Sequence, residues 1–213
     1  MNLTVTKGDL MIEKLTTQQE SEIKTYFDKW LTIGHRTQTQ DVEKAKEFVA
    51  FLYKSFLDLP TPEIHFVKSP MEGQLLIDKL VNNIDKDSNQ TLEYFEPARE
   101  NWWMSYFSKY DYILNVLFSE KKPEFELFRE FLNYSENCHI MWTFDQFAVV
   151  CDFPNGIEVV PDVGIQSFFT PAISYRDGYG IYGLNGESMD KAEWEKETIK
   201  YKSSLATEIF KKV

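Results

Sequence analysis

The spacing of the apolar residues changes once along this chain, near His139, and that change limits the folds open to it. Before it, apolar side chains recur at the interval that places them on one face of a helix. After it they alternate, or run together in short β-branched stretches broken by turn residues. In the first part, Thr17-Gln-Gln-Glu20 reads as a capping box, and Ile23, Phe27, Trp30 and Leu31 form the core face of a helix over 17–33 that Gly34 stops. A second box, Thr37-Gln-Thr-Gln40, leads into Ala45, Val49, Leu52 and Phe56 and ends before Pro60, giving a helix that pairs with the first. Glu63-Ile-His-Phe-Val67 alternates and predicts a short strand. Ser69-Pro70-Met-Glu72 then sets an N-cap, a first-turn proline and a closing Glu for a third helix carrying Leu76, Leu80 and Ile84. Trp103, Phe107, Tyr110, Leu114 and Leu117 share one face of a fourth, central helix, and Pro123 opens a fifth whose buried side is Phe128, Phe131 and Leu132.

The β segments are IMWTFDQFAVVCDF, GIEVVP, IQSFF and AISYRDGYGIYGLNG, punctuated by Pro161-Asp-Val-Gly164, Asp177-Gly178 and Asn185-Gly186, turn signals that predict antiparallel pairing of successive strands. Asp190-Lys-Ala-Glu193 caps a last helix bearing Trp194, Tyr201, Leu205 and Ile209, with Lys211 and Lys212 at its C-terminal end. The fold class is therefore α+β: a mainly helical part at about 12–135, a small antiparallel meander at about 139–187 and a helix at about 190–210. No linker divides 213 residues, so one domain over 1–213 is expected.

Composition bounds the function. Aromatic residues make up 15% of the chain, which predicts an aromatic-rich core. A net charge of −11, with no basic stripe to offset it locally, excludes nucleic acid as a direct partner. The N-terminal residues lack the apolar run of a leader, and no stretch reaches the roughly 18 apolar residues of a membrane span, so a cytoplasmic protein with no membrane partner is expected. Cys138 and Cys151 are the only cysteines, too few for a disulfide framework or a zinc knuckle.

Several motifs suggest chemistry, and each has a structural explanation. Asp85, Asp87, Asn89 and Glu96 fall at the first, third, fifth and twelfth positions of a calcium loop, with Leu92 at the eighth. Gln90 stands where the sharp turn needs glycine, Pro97 comes early in the exit helix, and no second loop pairs with it, so an acidic interhelical loop is the better reading and no metal is expected. Gly178-Tyr-Gly-Ile-Tyr-Gly183 matches a dinucleotide fingerprint, but Asn185-Gly186 turns the chain where the helix should begin, and no cofactor is expected. Cys138 and His139 would point to opposite faces of a strand, so they do not form a nucleophile and base pair, and Cys151 reads as a small core residue.

The candidate ligand-binding residues are His35, Arg36, Trp103 and Arg176. His35-Arg36 lies between a helix stop and a helix start, where it can reach an anion near a positive helix N-terminus, the plain alternative being a solvated connector whose Arg pairs with a carboxylate. Arg176 ends a strand between Tyr175, which packs, and Asp177, which makes the turn. Trp102 and Trp103 cannot both face the core of one helix, so one lines a groove or a partner contact, or sits at the core's edge.

HRTQTQD, the A…Y…P-x-I-x-F-x-x-SP run that follows it, and TPAISYRDGYGIYGLNG together resemble a bacterial family of hypothetical proteins. In that family an N-terminal helical region precedes a strand pair of the form L-H…G-P-A-x-x-Y-x-D-G…Y…H-G. The resemblance covers about residues 30–190. Ser167-Phe168 stands in place of Leu-His, Thr170-Pro171-Ala172 in place of Gly-Pro-Ala, and Asn185-Gly186 in place of His-Gly, so a histidine-based role does not carry over. The resemblance implies the order of helices and strands and a bacterial or phage origin, and it implies no activity.

Two function classes follow. The first is a non-enzymatic binding or protein-interaction module, expected from the negative charge, the abundant aromatics and the lack of a converging catalytic set. Its partner is an unknown protein or a small anionic ligand, and its oligomeric state is open. The second is a small transferase or hydrolase acting on an anionic substrate, with His35 as base and Arg36 and Arg176 binding charge, which requires those residues to converge.

Overall fold

The computed structural model of the chain describes residues 15–83, 94–95, 103–118, 122–160 and 163–210. Its centre is a mixed sheet ordered β1-β4-β3-β2, formed by Glu63–Val67 (β1), Tyr94–Phe95 (β2), Ile140–Phe144 (β3) and Phe147–Cys151 (β4). The apolar run IMWTFDQFAVVCDF is two strands rather than one: it folds back at Asp145-Gln146 so that Ile140 pairs with Cys151 and Thr143 with Ala148. β1 joins this hairpin parallel to β4, in the register Glu63 to Phe147 through Val67 to Cys151. The helices between β1 and β4 supply the long crossover that a parallel pair needs.

β4 is buried along its whole length. Its side chains alternate between two cores: Ala148 and Val150 enter one cluster, Phe147, Val149 and Cys151 the other. A strand covered on both faces needs apolar residues at every position, which explains the unbroken FAVVC. The first core takes Trp30 and Ile33 from Thr17–Gly34 (α1), Ala45, Phe48 and Val49 from Val42–Leu52 (α2), Phe107 from Trp103–Tyr112 (α4), and Phe131 and Leu132 from Pro123–Ser135 (α5). The second takes Ile77 from Pro70–Asn83 (α3) and Ile173 and Tyr175 from the C-terminal strands.

Those strands form a second sheet ordered β10-β9-β8-β5, built from Gly156–Ile157 (β5), Ile173–Ser174 (β8), Gly180–Leu184 (β9) and Glu187–Met189 (β10), all antiparallel. Val159–Val160 (β6) and Gly164–Ile165 (β7) make a separate antiparallel ribbon. Lys191–Phe210 (α6) follows, so a helical N-terminal two thirds, a small β region and a C-terminal helix make up the α+β fold. Of IQSFF, only its first residue is strand.

The helix starts follow from caps, with two shifts from the sequence reading. Thr16, not Thr17, caps α1: its hydroxyl accepts from Gln19 N at 3.2 Å while Gln19 Oε1 accepts from Thr16 N at 2.9 Å. Asp41, not Thr37, caps α2 by accepting from Lys44 N. Ser69 caps α3 and Asp190 caps α6 as expected, and Pro123 is in the first turn of α5. α2 and α4 each end in a π turn, Tyr53–Leu57 and Ile113–Leu117. The first is stopped by Asp58 in the left-handed region, at φ 53°.

Some side chains assigned to the core by periodicity lie outside it. On α1 the buried residues are Trp30, Ile33 and Gly34, whereas Ile23, Phe27 and Leu31 are 43%, 47% and 41% exposed. Phe56 at 36%, Tyr110 at 43% and Tyr201 at 41% are likewise exposed. Ile84, the whole Asp85 to Glu96 calcium-loop candidate apart from Tyr94-Phe95, and the side chains of Leu205 and Ile209 lie outside the described residues.

Asn185 and Gly186 join β9 to β10 with φ of 55° and 84°, the left-handed pair that a two-residue hairpin requires. A Cβ on Gly186 would run into the backbone carbonyl of Val163, whereas one on Gly178, at φ 90°, would meet nothing within 4 Å. Gly186→Ala is expected to cost roughly 2–4 kcal/mol of stability and Gly178→Ala about half that, because only the first adds a backbone clash to the unfavourable φ. Denaturant unfolding of the two variants checks the order; a larger loss at Gly178 would contradict this packing.

Candidate functional site

The connector between α1 and α2 is where most of the sequence-selected residues meet. His35 closes α1 with its N–H on Leu31 O at 3.0 Å, and Arg36 N bonds Ile33 O, so the side chains of both leave from the end of a fixed helix. Arg36 donates through Nη1 to Glu136 O at 3.0 Å and pairs through Nη2 with Glu136 Oε2 at 3.5 Å. The other oxygen of Glu136 holds Lys29 at 3.2 Å, and Lys29 also reaches Asp111 at 2.9 Å. Arg36 therefore ties α1 to the C-terminal end of α5.

Arg176 arrives from the β8–β9 turn. Its guanidinium donates to Phe153 O at 2.8 Å, Asp152 Oδ2 at 3.1 Å and Thr37 O at 2.8 Å. Thr37 follows Arg36, so the two arginines attach to the same connector rather than to opposite surfaces. Each is already bonded to acceptors of the chain itself, in the planar, several-armed manner that suits a guanidinium. His35 is half-buried, and burial alone lowers its pKa below the ordinary histidine value, which favours the neutral ring. Trp103 begins α4, and its side chain lies outside the described ones.

Two residues that the sequence reading passed over hold this junction together. Asp152, just after β4, accepts from Gln40 N at 2.6 Å and from Phe153 N at 2.8 Å on one oxygen and from Arg176 on the other. Gln40, assigned by its spacing to a capping box, instead sends its amide to Asn137 O and Asp41 O. No local pattern marks either residue, because Gln40 and Asp152 are 112 positions apart. Nearby, Asp177 makes its turn by accepting from Tyr179 N at 3.0 Å. Burial alone would raise the Asp177 pKa, but the hydrogen bonds from Ser69 and from the turn N–H groups outweigh it and hold the carboxyl below its usual value.

His139 follows two residues after Asn137, whose carbonyl accepts from Gln40. It is buried against the ring of Phe153, with centroids 5.6 Å apart, and neither imidazole nitrogen has a hydrogen-bond partner among the described residues. Burial pushes its pKa down to about 4. Cys138 is also buried, and Cys151 is fully buried with its thiol pushed up by desolvation and by the carboxylates of Asp152, Asp177 and Glu72, the environment of an inert core thiol. Among the described residues, no three His, Cys, Asp or Glu side chains are gathered to hold a metal ion, and no helix is long and apolar enough to cross a membrane. The glycines of Gly178 to Gly183 lie in the β8–β9 turn and in β9, which continues to the next hairpin and not into a helix.

Two outcomes follow from this geometry. Arg176→Ala, which removes three hydrogen bonds at a partly exposed position, is expected to lower stability by about 1–2 kcal/mol. Arg176→Lys should recover less than half of that, since one ammonium cannot reach all three acceptors, and combination with Asp152→Asn should be clearly non-additive in denaturant unfolding. For His139, the unfolded chain takes up a proton as pH falls below about 6.5 and the folded chain does so only near 4, so folding stability declines as pH drops through that interval. The loss from this residue is roughly 2 kcal/mol at pH 5 relative to pH 7. His139→Leu should flatten the pH dependence of the melting temperature over the same interval, and an unchanged slope would remove His139 as its source.

Compared with family models, curated proteins and solved structures, the chain matches none of them, so its function is argued from its own geometry.

Proposed function

We propose that this protein is a non-enzymatic binding or protein-interaction module. One observation carries the reading: large apolar side chains spaced as core residues sit on the outer faces of the helices, namely Ile23, Phe27 and Leu31 on α1, Phe56 on the π turn after α2, and Tyr110 on α4. Exposed single residues are ordinary, but three in successive turns of one helix form a contiguous apolar stripe, and such stripes mark contact surfaces.

The alternative, a small transferase or hydrolase acting on an anionic substrate, needs Arg36 and Arg176 to offer charge to that substrate. Both come to the same connector, but their guanidiniums are occupied by Glu136, Asp152 and main-chain carbonyls. An anion entering there would have to displace a carboxylate held by several bonds. The contacts of these residues support the binding reading over the catalytic one.

The test combines light scattering after size exclusion with affinity capture from the cells that make the protein, using the wild type and an Ile23→Glu/Phe27→Glu variant. The expected result is a stoichiometric partner or a defined oligomer for the wild type, lost on substitution, with melting temperatures that agree. A partnerless monomer under all conditions would sink the proposal.

A further inference from the structure

The rings that leave the first core reach the surface as a connected series across three helices. Tyr110 of α4 meets Phe128 of α5 at 5.3 Å between centroids, and Phe128 meets Phe131 at 5.6 Å. Phe131 touches Phe56 at 5.4 Å, Phe56 touches Phe51 at 5.8 Å, and Phe51 stacks on Tyr134 at 4.9 Å. Only Phe131 of these six is buried. The end of the series carries charge. Glu47 lies one helical turn before Phe51 on α2, and Glu130 one turn before Tyr134 on α5, so both carboxylates flank the stacked pair. Both are exposed, and among the described residues neither has an ion-pair partner. The basic residues next to the rings in sequence are engaged elsewhere, Arg129 with Leu114 O, Phe118 O and Glu126 and Lys109 over the ring of Tyr106, while Lys54 lies one turn beyond Phe51.

We propose that this ring series, with Glu47 and Glu130, is the docking surface for a basic segment of another protein. The assignment rests on the interaction-module reading and names the partner's chemistry. Half-exposed ring faces attract arginine and lysine through cation–π contact, and a carboxylate one turn away completes the pairing with the same cation. Aromatic side chains and arginine are also the groups that interfaces concentrate. A second copy of the chain is a poor occupant, because each copy carries a net charge of −11 and would bring like charge to the same face. The Ile23 to Leu31 stripe lacks this discrimination, since Lys24 and Asp28 beside it neutralise each other at 2.7 Å.

The experiment uses a labelled amphipathic peptide of arginine and leucine and a matched peptide of glutamate and leucine, titrated into the full chain by fluorescence anisotropy. The wild type should bind the basic peptide and not the acidic one. Glu47→Lys/Glu130→Lys should weaken binding about tenfold, the size expected for reversing two interface charges. A control, Glu187→Lys/Glu197→Lys on β10 and α6, changes the net charge equally, from −11 to −7 (two reversals of +2 each), and should leave binding nearly intact. Equal weakening by both pairs would reduce the effect to bulk charge and overturn the proposal, as would no binding by the wild type. A cellular partner captured by the wild type and retained by Glu47→Lys/Glu130→Lys would also overturn this surface while leaving the interaction-module reading in place.

Discussion

The carboxylate of Asp152 fixes how the two halves of the chain meet. It follows β4, the strand shared by both cores, and its backbone N–H is bonded to Val67 O of β1, so its position is set by the central sheet. From there one oxygen holds the main chain just before α2 and the other holds the turn between β8 and β9. Three segments remote in sequence are thus referenced to one strand end. A charged acceptor with several donors is stronger than the same bonds made singly, and each donor it satisfies would otherwise be a main-chain or guanidinium group in a partly dry place. The approach of Arg176 to the connector depends on the same group.

A comparable arrangement governs the helical side. Tyr53 is fully buried, and its hydroxyl donates to Phe144 O and lies 3.3 Å from Phe147 O, the two residues that flank the β3–β4 turn. It sits where α2 widens into a π turn, and the wider turn alters the direction of the following side chains, leaving Phe56 against Phe131 at the rim. On α4 the corresponding π turn is closed by Arg129 of α5, which donates to Leu114 O and Phe118 O. Asp111 accepts from Lys29 and Trp30 of α1 and from Asn115, anchoring α1 to α4. Polar groups placed inside the helical layer set its register, and aromatic rings fill the remainder.

What could be read from the sequence was whatever has a local cause. Asn185-Gly186 acts through its own backbone, Ser69 and Asp190 through side-chain oxygens that accept from the N–H three residues on, and each makes the turn or cap its spacing indicates. Thr16 takes the place expected of Thr17 because it closes a reciprocal box with Gln19, one residue earlier than the box that Thr17 and Glu20 spell. Periodicity found the helices but overstated their buried faces. Ile23, Phe27 and Leu31 lie beside the face that carries Trp30 and Ile33, and the width of a neighbouring helix decides where burial ends. The parallel pairing of β1 with β4 and the bond between Asp152 and Gln40 had no local signal, since the contacting residues lie far apart in sequence, Glu63 against Phe147 and Gln40 against Asp152. Arg176 was singled out for its place at a strand end, but its three acceptors belong to other segments.

The distribution of charge follows from these internal joints. Lys29, Arg36, Arg129 and Arg176 all turn toward acceptors within the fold. Their carboxylate partners, Asp111, Glu136, Glu126 and Asp152, match them in number, so the surplus of 34 acidic over 23 basic residues is carried by the rest of the chain. Where that surplus borders uncovered rings, as at Glu47 and Glu130, anions and like copies are repelled while cationic side chains gain both a π face and a carboxylate. On the proposed reading, the arginines that first suggested anion chemistry build the scaffold, and selectivity comes from the carboxylates and rings left outside it.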